Sequence, residues 1–165
     1  MMKEIYLAGG CFWGVEHYFS LVEGITKTSA GYANGKGDAT YEKLKETDHA
    51  EAVKLTYDDN IITLNDILDL YFQIIDPVSL NKQGEDVGRQ YRTGIYYTDL
   101  NDYQIIDIKM KELEDKIGQE SKVEVMVLEN YFDAEERHQD YLNKNPNGYC
   151  HLGSDHFDRA KNYKK

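Results

Sequence analysis

The sequence predicts a single α+β domain: a ferredoxin-like split β-α-β core with a mixed sheet, helices packed on it, and an irregular C-terminal tail. Three observations point there. Apolar runs of strand and helix type alternate in the order β-α-β-β-α-β-α-β. The chain's 165 residues, 41% of them hydrophobic, suffice for one core with no disulfide or metal staple. No internal repeat, linker or low-complexity segment divides the chain, so residues 1–165 are expected to form one domain, with an α/β core over 1–143 and the tail over 144–165.

The elements follow in order. Ile5-Tyr6-Leu7-Ala8 reads as a short buried strand. Gly9 and Gly10 permit a tight turn, and Val15, Phe19 and Val22 then recur at i, i+4 and i+7 as one helical face. Ile25 to Ala33 is a strand that ends in the turn-rich Asn34-Gly35-Lys36-Gly37-Asp38, and Ala50 to Tyr57 is the next. Thr63 caps a helix carrying Leu64, Ile67, Leu68, Tyr71 and Ile75. Asp76 to Thr93 is a loop of about eighteen residues without periodicity, a length that in a compact domain usually serves function. Gly94 to Tyr97 is a short strand. A helix from about Leu100 presents Ile106, Met110, Leu113 and Ile117 until Gly118 stops it. Lys122 to Glu129 sets Val123, Val125 and Val127 on one strand face, and Ala134 to Asn143 reads as a last short helix before the tail.

Composition removes several classes of function. Thirty acidic against nineteen basic residues give a formal charge of −11, a poor match to nucleic acid or an anionic membrane surface. No run approaches the ~18 apolar residues of a membrane span, and no charged start with an apolar stretch precedes Cys11 as an export signal would require. The two cysteines, Cys11 and Cys150, form neither a disulfide framework nor a C-x-x-C pair, so a reducing cytoplasm is the expected home. Cys150-His151 with His156 is only a weak match to any ligand spacing, and His49 and His138 lack partners at i+3 or i+4, so no metal is expected.

Chemistry concentrates at Gly9-Gly10-Cys11-Phe12-Trp13-Gly14. A cysteine between a strand and a helix meets the unpaired N–H groups and dipole of the helix's first turn, which favour a thiolate; the plain reading is a buried, inert thiol. Trp13, the single tryptophan, adjoins this candidate nucleophile. Glu51 shares its strand face with Val53 and Leu55, whereas Ala50, Ala52 and Lys54 point the other way. Desolvation there would raise its pKa and make it a proton donor at neutral pH, unless the strand frays and lets it out. Asp86, Arg89, Tyr91 and Arg92 lie in the long loop, where surface ion pairing is the ordinary role. Of fourteen tyrosines, most are expected in the core or at its boundary with one wet end, and a few could donate phenolic hydrogen bonds in a pocket. These residues also fit a hydrolase or acyltransferase using Cys11 with His49 or His138 and a carboxylate, or a non-catalytic acidic module holding a cationic peptide.

Gly10-Cys11-Phe12-Trp13-Gly14 resembles the active-site motif of the methionine sulfoxide reductase A family. Further segments similar to that family recur in order: Gly31-Tyr32 with Tyr41, His49 to Val53, Asp76-Pro77, Asn81 to Arg92, Ala134-Glu135 with His138-Gln139, and Asn145 to Cys150. The resemblance implies reduction of the S epimer of methionine sulfoxide, free or in proteins, by a single catalytic domain without a cofactor. It implies that Cys11 attacks the sulfoxide sulfur, that Glu51 protonates the departing oxygen, and that Tyr41 and Tyr91 hydrogen-bond that oxygen with support from Asp86. Phe12 and Trp13 would enclose the substrate's methyl group, with His138 beside them. The sulfenic acid left on Cys11 would condense with Cys150, the recycling cysteine, into a disulfide that thioredoxin or another thiol reduces. The chain departs from the family in a shorter loop before His49, in Gly35-Lys36-Gly37 as a loose version of a glycine-rich turn, and in His151 to His156, where a glycine-rich segment is common.

Overall fold

The computed structural model describes residues 1–148 and 152–163. Its elements are β1 (Met2–Gly9), α1 (Phe12–Ser20), β2 (Ile25–Ala33), α2 (Leu44–Thr47), β3 (Ala50–Asp58), α3 (Leu64–Phe72), β4 (Lys82–Gln83), β5 (Asp86–Val87), β6 (Thr93–Tyr97), α4 (Leu100–Ile117), β7 (Glu124–Val127), β8 (Tyr131–Asp133), α5 (Tyr141–Lys144) and α6 (Ser154–Asn162). Single 3-10 turns cover Tyr41–Lys43, Arg89–Tyr91 and Glu136–His138.

Six strands form one sheet in the order β7-β6-β1-β3-β2-β8. Within it β6-β1-β3-β2 is antiparallel, and β3 lies between β1 and β2, the two strands that α1 connects. That is the split β-α-β core, and β7 joins it parallel to β6 through α4, which makes the sheet mixed. The alternation read from the sequence sets the two faces. Ile5, Leu7, Val53, Leu55 and Ile95 pack with Val15, Phe19, Ile67, Leu68 and Ile106 of the helices, while Tyr6, Ala8, Ala50, Ala52 and Tyr96 form a smaller cluster on the other side. Thr63 caps α3 in a reciprocal box with Asp66: its hydroxyl accepts from the Asp66 N–H at 3.2 Å and its own N–H donates to the Asp66 carboxylate at 3.1 Å. Gly118 ends α4 in the left-handed conformation, at φ 71°.

Four expectations change. Ala134 to Asn143 is not a helix; β8, a 3-10 turn and α5 replace it, with Asp140 at φ 53° between the last two. Buried Ala134, His138 and Leu142 repeat every four residues and mimic a helical face. The Gln139 side chain overrides them, accepting from Ala30 N–H at 2.8 Å and donating to Ala30 O at 2.8 Å, which docks this segment on β2. The tail is not irregular throughout, because α6 packs on α1 with Ala160 buried and the Phe157 ring edge-on to His17 at 4.7 Å. Its apolar side is too narrow to show a period. The strand expected over Lys122 to Glu129 is shorter, Glu124–Val127, which leaves Val123 outside it; it is an edge strand, and exposure rises from 8% at Val123 to 47% at Val127. Finally, the long loop contains the small β4-β5 hairpin.

Candidate active site

Gly10 stands at φ 87°, in the left-handed region that glycine enters without a Cβ clash, and it turns the chain from β1 into α1. Cys11 therefore falls at the N-cap of α1, 6% exposed, where the amide end of the helix favours negative charge on Sγ. Phe12 N–H, the first amide of that helix, donates to Glu51 Oε1 at 3.3 Å. Glu51 does not fray from β3; it is 2% exposed on the face that Val53 and Leu55 continue. Burial pushes its carboxyl up to about 8; the Phe12 amide pulls it down and the charge of Asp86 adds to the rise. It is thus a largely protonated acid at neutral pH.

Tyr41 opens the 3-10 turn after the Asn34–Asp38 bend, and Tyr91 closes the one after β5. Burial raises both phenols, and the charges of Glu51, Cys11 and Asp86 raise them further, so these five groups share one field. Tyr41, Glu51 and Tyr91 line a cavity of about 290 Å³ together with Leu44 and Gln90. A cleft of about 590 Å³ between α3 and α4 contains none of the predicted site residues.

The loop carrying Asp86 and Tyr91 is anchored at both ends. Gln83 accepts from Asp76 N–H at 2.8 Å and donates to Asp76 O at 3.0 Å. Arg92, 5% exposed, donates to Arg89 O at 3.0 Å, to Asn34 O at 3.2 Å and to Glu124 at 3.4 Å. Arg89 grips Asp48, at the left-handed end of α2, through both carboxylate oxygens.

Trp13 is partly exposed on the first turn of α1. Its indole stacks on Tyr141 with centroids 3.8 Å apart, and its Nε1 donates to His138 Nδ1 at 3.1 Å. Phe12 is 1% exposed, with its ring between Tyr32 at 5.7 Å and His138 at 5.4 Å. His138 also faces the Tyr41 ring at 4.5 Å, and burial first and then Arg137 lower its pKa, which keeps it neutral. Cys150 lies outside the described residues.

Glu135 entered the sequence reading only as part of a family-like segment with no role of its own, and Tyr141 escaped it. The carboxylate of Glu135 accepts from the Tyr32 hydroxyl at 2.6 Å and from Tyr41 N–H at 3.1 Å, so it sets Tyr41. Both lie in or beside the stretch taken for a helix, and a helical register hides that they face different elements. His49, fully buried, is structural: its Nε2 meets Asn130 Oδ1 at 2.9 Å, and a Cβ on Gly35 would come within 2.3 Å of its ring. Two glycines of the loose turn are thus fixed for different reasons, Gly35 by this close approach and Gly37 by its φ of 78°.

A carboxyl held protonated beside a cysteine at a helix N-terminus, with phenols around it, suits a reaction in which a thiol takes an oxygen that leaves only when protonated. Fold and site together define a thiol-dependent oxidoreductase. The sequence matches the family described as peptide methionine sulfoxide reductase over residues 3–165. It is 55% identical over 155 residues to the peptide methionine sulfoxide reductase MsrA of Malacoplasma penetrans, covering 92% of this chain and 97% of the relative. It is 53% identical over 165 residues to the MsrA of Lachnoclostridium phytofermentans, covering 98% and 99%. Reduced Mxr1 from Saccharomyces cerevisiae superposes with a TM-score of 0.85 at 38% identity, over 90% of this chain and 88% of that one. Mxr1 in complex with Trx2 superposes with a TM-score of 0.61 at 29% identity, over 85% and 84%. The chain belongs to the peptide methionine sulfoxide reductase family.

Proposed function

We propose that this enzyme reduces the S epimer of methionine sulfoxide, free or in proteins, by oxygen transfer to Cys11. The observation that carries the reading is Glu51, buried in the sheet face and touching the first amide of the helix that Cys11 caps. The Cys11 thiolate attacks the sulfoxide sulfur while Glu51 gives its proton to the oxygen, and Tyr41 and Tyr91 stabilise the charge growing there; burial holds Glu51 in its acid form and the charge of Asp86 adds to that. The S–S bond so formed then breaks as the protonated oxygen passes from the substrate sulfur to Cys11 Sγ: the substrate sulfur, reduced by two electrons, leaves as the thioether, and Cys11, oxidised by two, is left as the sulfenic acid. Condensation with Cys150 releases water and forms a disulfide, which a dithiol reduces. Thioredoxin is the reductant we favour, because the related Mxr1 forms a complex with Trx2. Electrons come from thiols throughout, so the reaction needs no prosthetic group.

Trp13 forms the apolar wall for the substrate methyl, Phe12 lies beneath it, and His138 fixes the indole. Exchanging methyl and oxygen at sulfur would press the oxygen on that wall and leave the phenols unpaired, which selects one epimer. We assign the whole of 1–165 to one catalytic domain with Cys150 in its tail. No helix among the described residues is long and apolar enough to cross a membrane, and thiol recycling fits a reducing cytoplasm. Single-turnover reduction of the separated epimers is the test. Methionine from the S epimer, none from R, and none with Cys11→Ser are expected; equal rates for both epimers would overturn the pocket assignment.

A further inference from the structure

Glu16 takes no part in the proposed chemistry, yet it is 2% exposed on α1, three residues after Trp13. Its Oε1 accepts from the Asp140 N–H at 2.8 Å and its Oε2 from the Thr28 hydroxyl at 3.1 Å. Asp140, at φ 53°, is a non-glycine residue in the left-handed region, where it separates the 3-10 turn ending at His138 from α5, which starts at Tyr141. His138, two residues before this step, and Tyr141, the residue after it, are the ones that grip Trp13, the first by its ring nitrogen and the second by its face. A change of φ at Asp140 would swing one relative to the other.

We propose that Glu16 is a positioning residue for the substrate wall: by holding the Asp140 amide it fixes the left-handed step that sets His138 and Tyr141 against Trp13, and thereby where the substrate's methyl group sits relative to Cys11. The inference rests on Trp13 being that wall. Burial raises the Glu16 carboxyl and the bonds from Asp140 and Thr28 offset only part of that rise, while the clamp requires only an acceptor at Oε1. A glutamine supplies one and can donate its amide to Thr28, whereas an alanine cannot reach Asp140.

The chain's single tryptophan makes the clamp visible, since all indole emission comes from Trp13. Glu16→Ala is expected to shift that emission and raise KM for methionine sulfoxide about tenfold, with kcat and the rate of Cys11 alkylation within a few-fold of wild type. Glu16→Gln is expected to restore both emission and KM. Unchanged emission and KM in Glu16→Ala would overturn the proposal, as would a folded Glu16→Gln as impaired as the alanine variant. Amide exchange in the wild-type protein decides the matter even if Glu16→Ala fails to fold: Asp140 protected like the amides of β2 supports the clamp, and exchange as fast as an open loop refutes it. Emission and exchange do not depend on turnover, so a wild-type protein inert toward methionine sulfoxide would sink the proposed function while these readouts still judge the clamp.

Discussion

Replacing Glu51 by glutamine keeps the shape and the acceptor for Phe12 N–H but removes the proton. With its carboxyl near 8, about nine-tenths of the protein carries that proton at pH 7, against about 0.3% for a carboxyl at the ordinary 4.5, so burial in β3 raises the supply of acid roughly 300-fold. General acid catalysis contributes about 10²–10⁴ in rate, and Glu51→Gln should slow single-turnover formation of methionine by that factor at pH 7. The pH profile gives a sharper signature. The folded-state value lies above the unfolded one, so the acid form is present below pH 8 and is lost as pH rises through it. The wild-type rate should fall above about pH 8, and the glutamine variant should lack that limb. Asp86→Asn, which removes a charge that raises the Glu51 carboxyl, should move the limb to lower pH. Rapid-quench measurements from pH 6 to 10 settle this: a Glu51→Gln rate within a few-fold of wild type, or an unaltered limb in that variant, would transfer the proton to another group.

Other outcomes follow from the same framework. Cys150→Ser should still yield one methionine per enzyme molecule but stop at a dimedone-reactive sulfenic acid and recycle poorly with thioredoxin; peptide mass spectrometry showing Cys11 and Cys150 unlinked in the wild type after one turnover would make Cys150 structural. Iodoacetamide should alkylate Cys11 at pH 7 faster than an unperturbed thiol, and an equal rate would remove the helix N-terminus from the account. Burial lowers the pKa values of His17, His49 and His138, so the native state resists protons that the unfolded chain accepts; the stability these histidines contribute should fall as pH drops below about 6.5, opposite in sign to the contribution of the raised Glu51 carboxyl, and His49→Gln should remove its share of that pH dependence in urea titrations. Thr63→Ala, which breaks the capping box of α3, should cost about 1 kcal/mol by chemical denaturation while leaving turnover intact.

Two kinds of information differed in how plainly the sequence carried them. Glu51 was legible because period-two alternation places it with Val53 and Leu55, a relation fixed by strand geometry alone. Cys11 was legible because Gly9-Gly10 lies between an unbroken apolar run and a helical one. Tyr41, Asp86 and Tyr91 were not recoverable from local pattern: they lie in 3-10 turns and a two-residue strand with no period, and only the order of segments shared with a family pointed to them. Glu135, Glu16 and Tyr141 were hidden for another reason. Each acts through a contact across about a hundred residues of chain or more, and the spacing of Ala134, His138 and Leu142 suggested a helix that the Gln139 contacts with β2 forbid.

The anchoring of the segment from Asp76 to Arg92 bears on how the site meets its substrate. Arg92 and Gln83 are buried, and their hydrogen bonds end on the backbone of Asp76, Arg89 and Asn34 and on the Glu124 carboxylate, all within the protein. The loop's conformational entropy is consequently surrendered when the chain folds, and Tyr91 and Asp86 stand in place before any sulfoxide arrives. Binding then has to order only the incoming methionine side chain and its immediate backbone. An oxidised residue at a frayed terminus or in an open loop of another protein meets a site already assembled, and the discrimination between such targets rests on how readily their own chain yields.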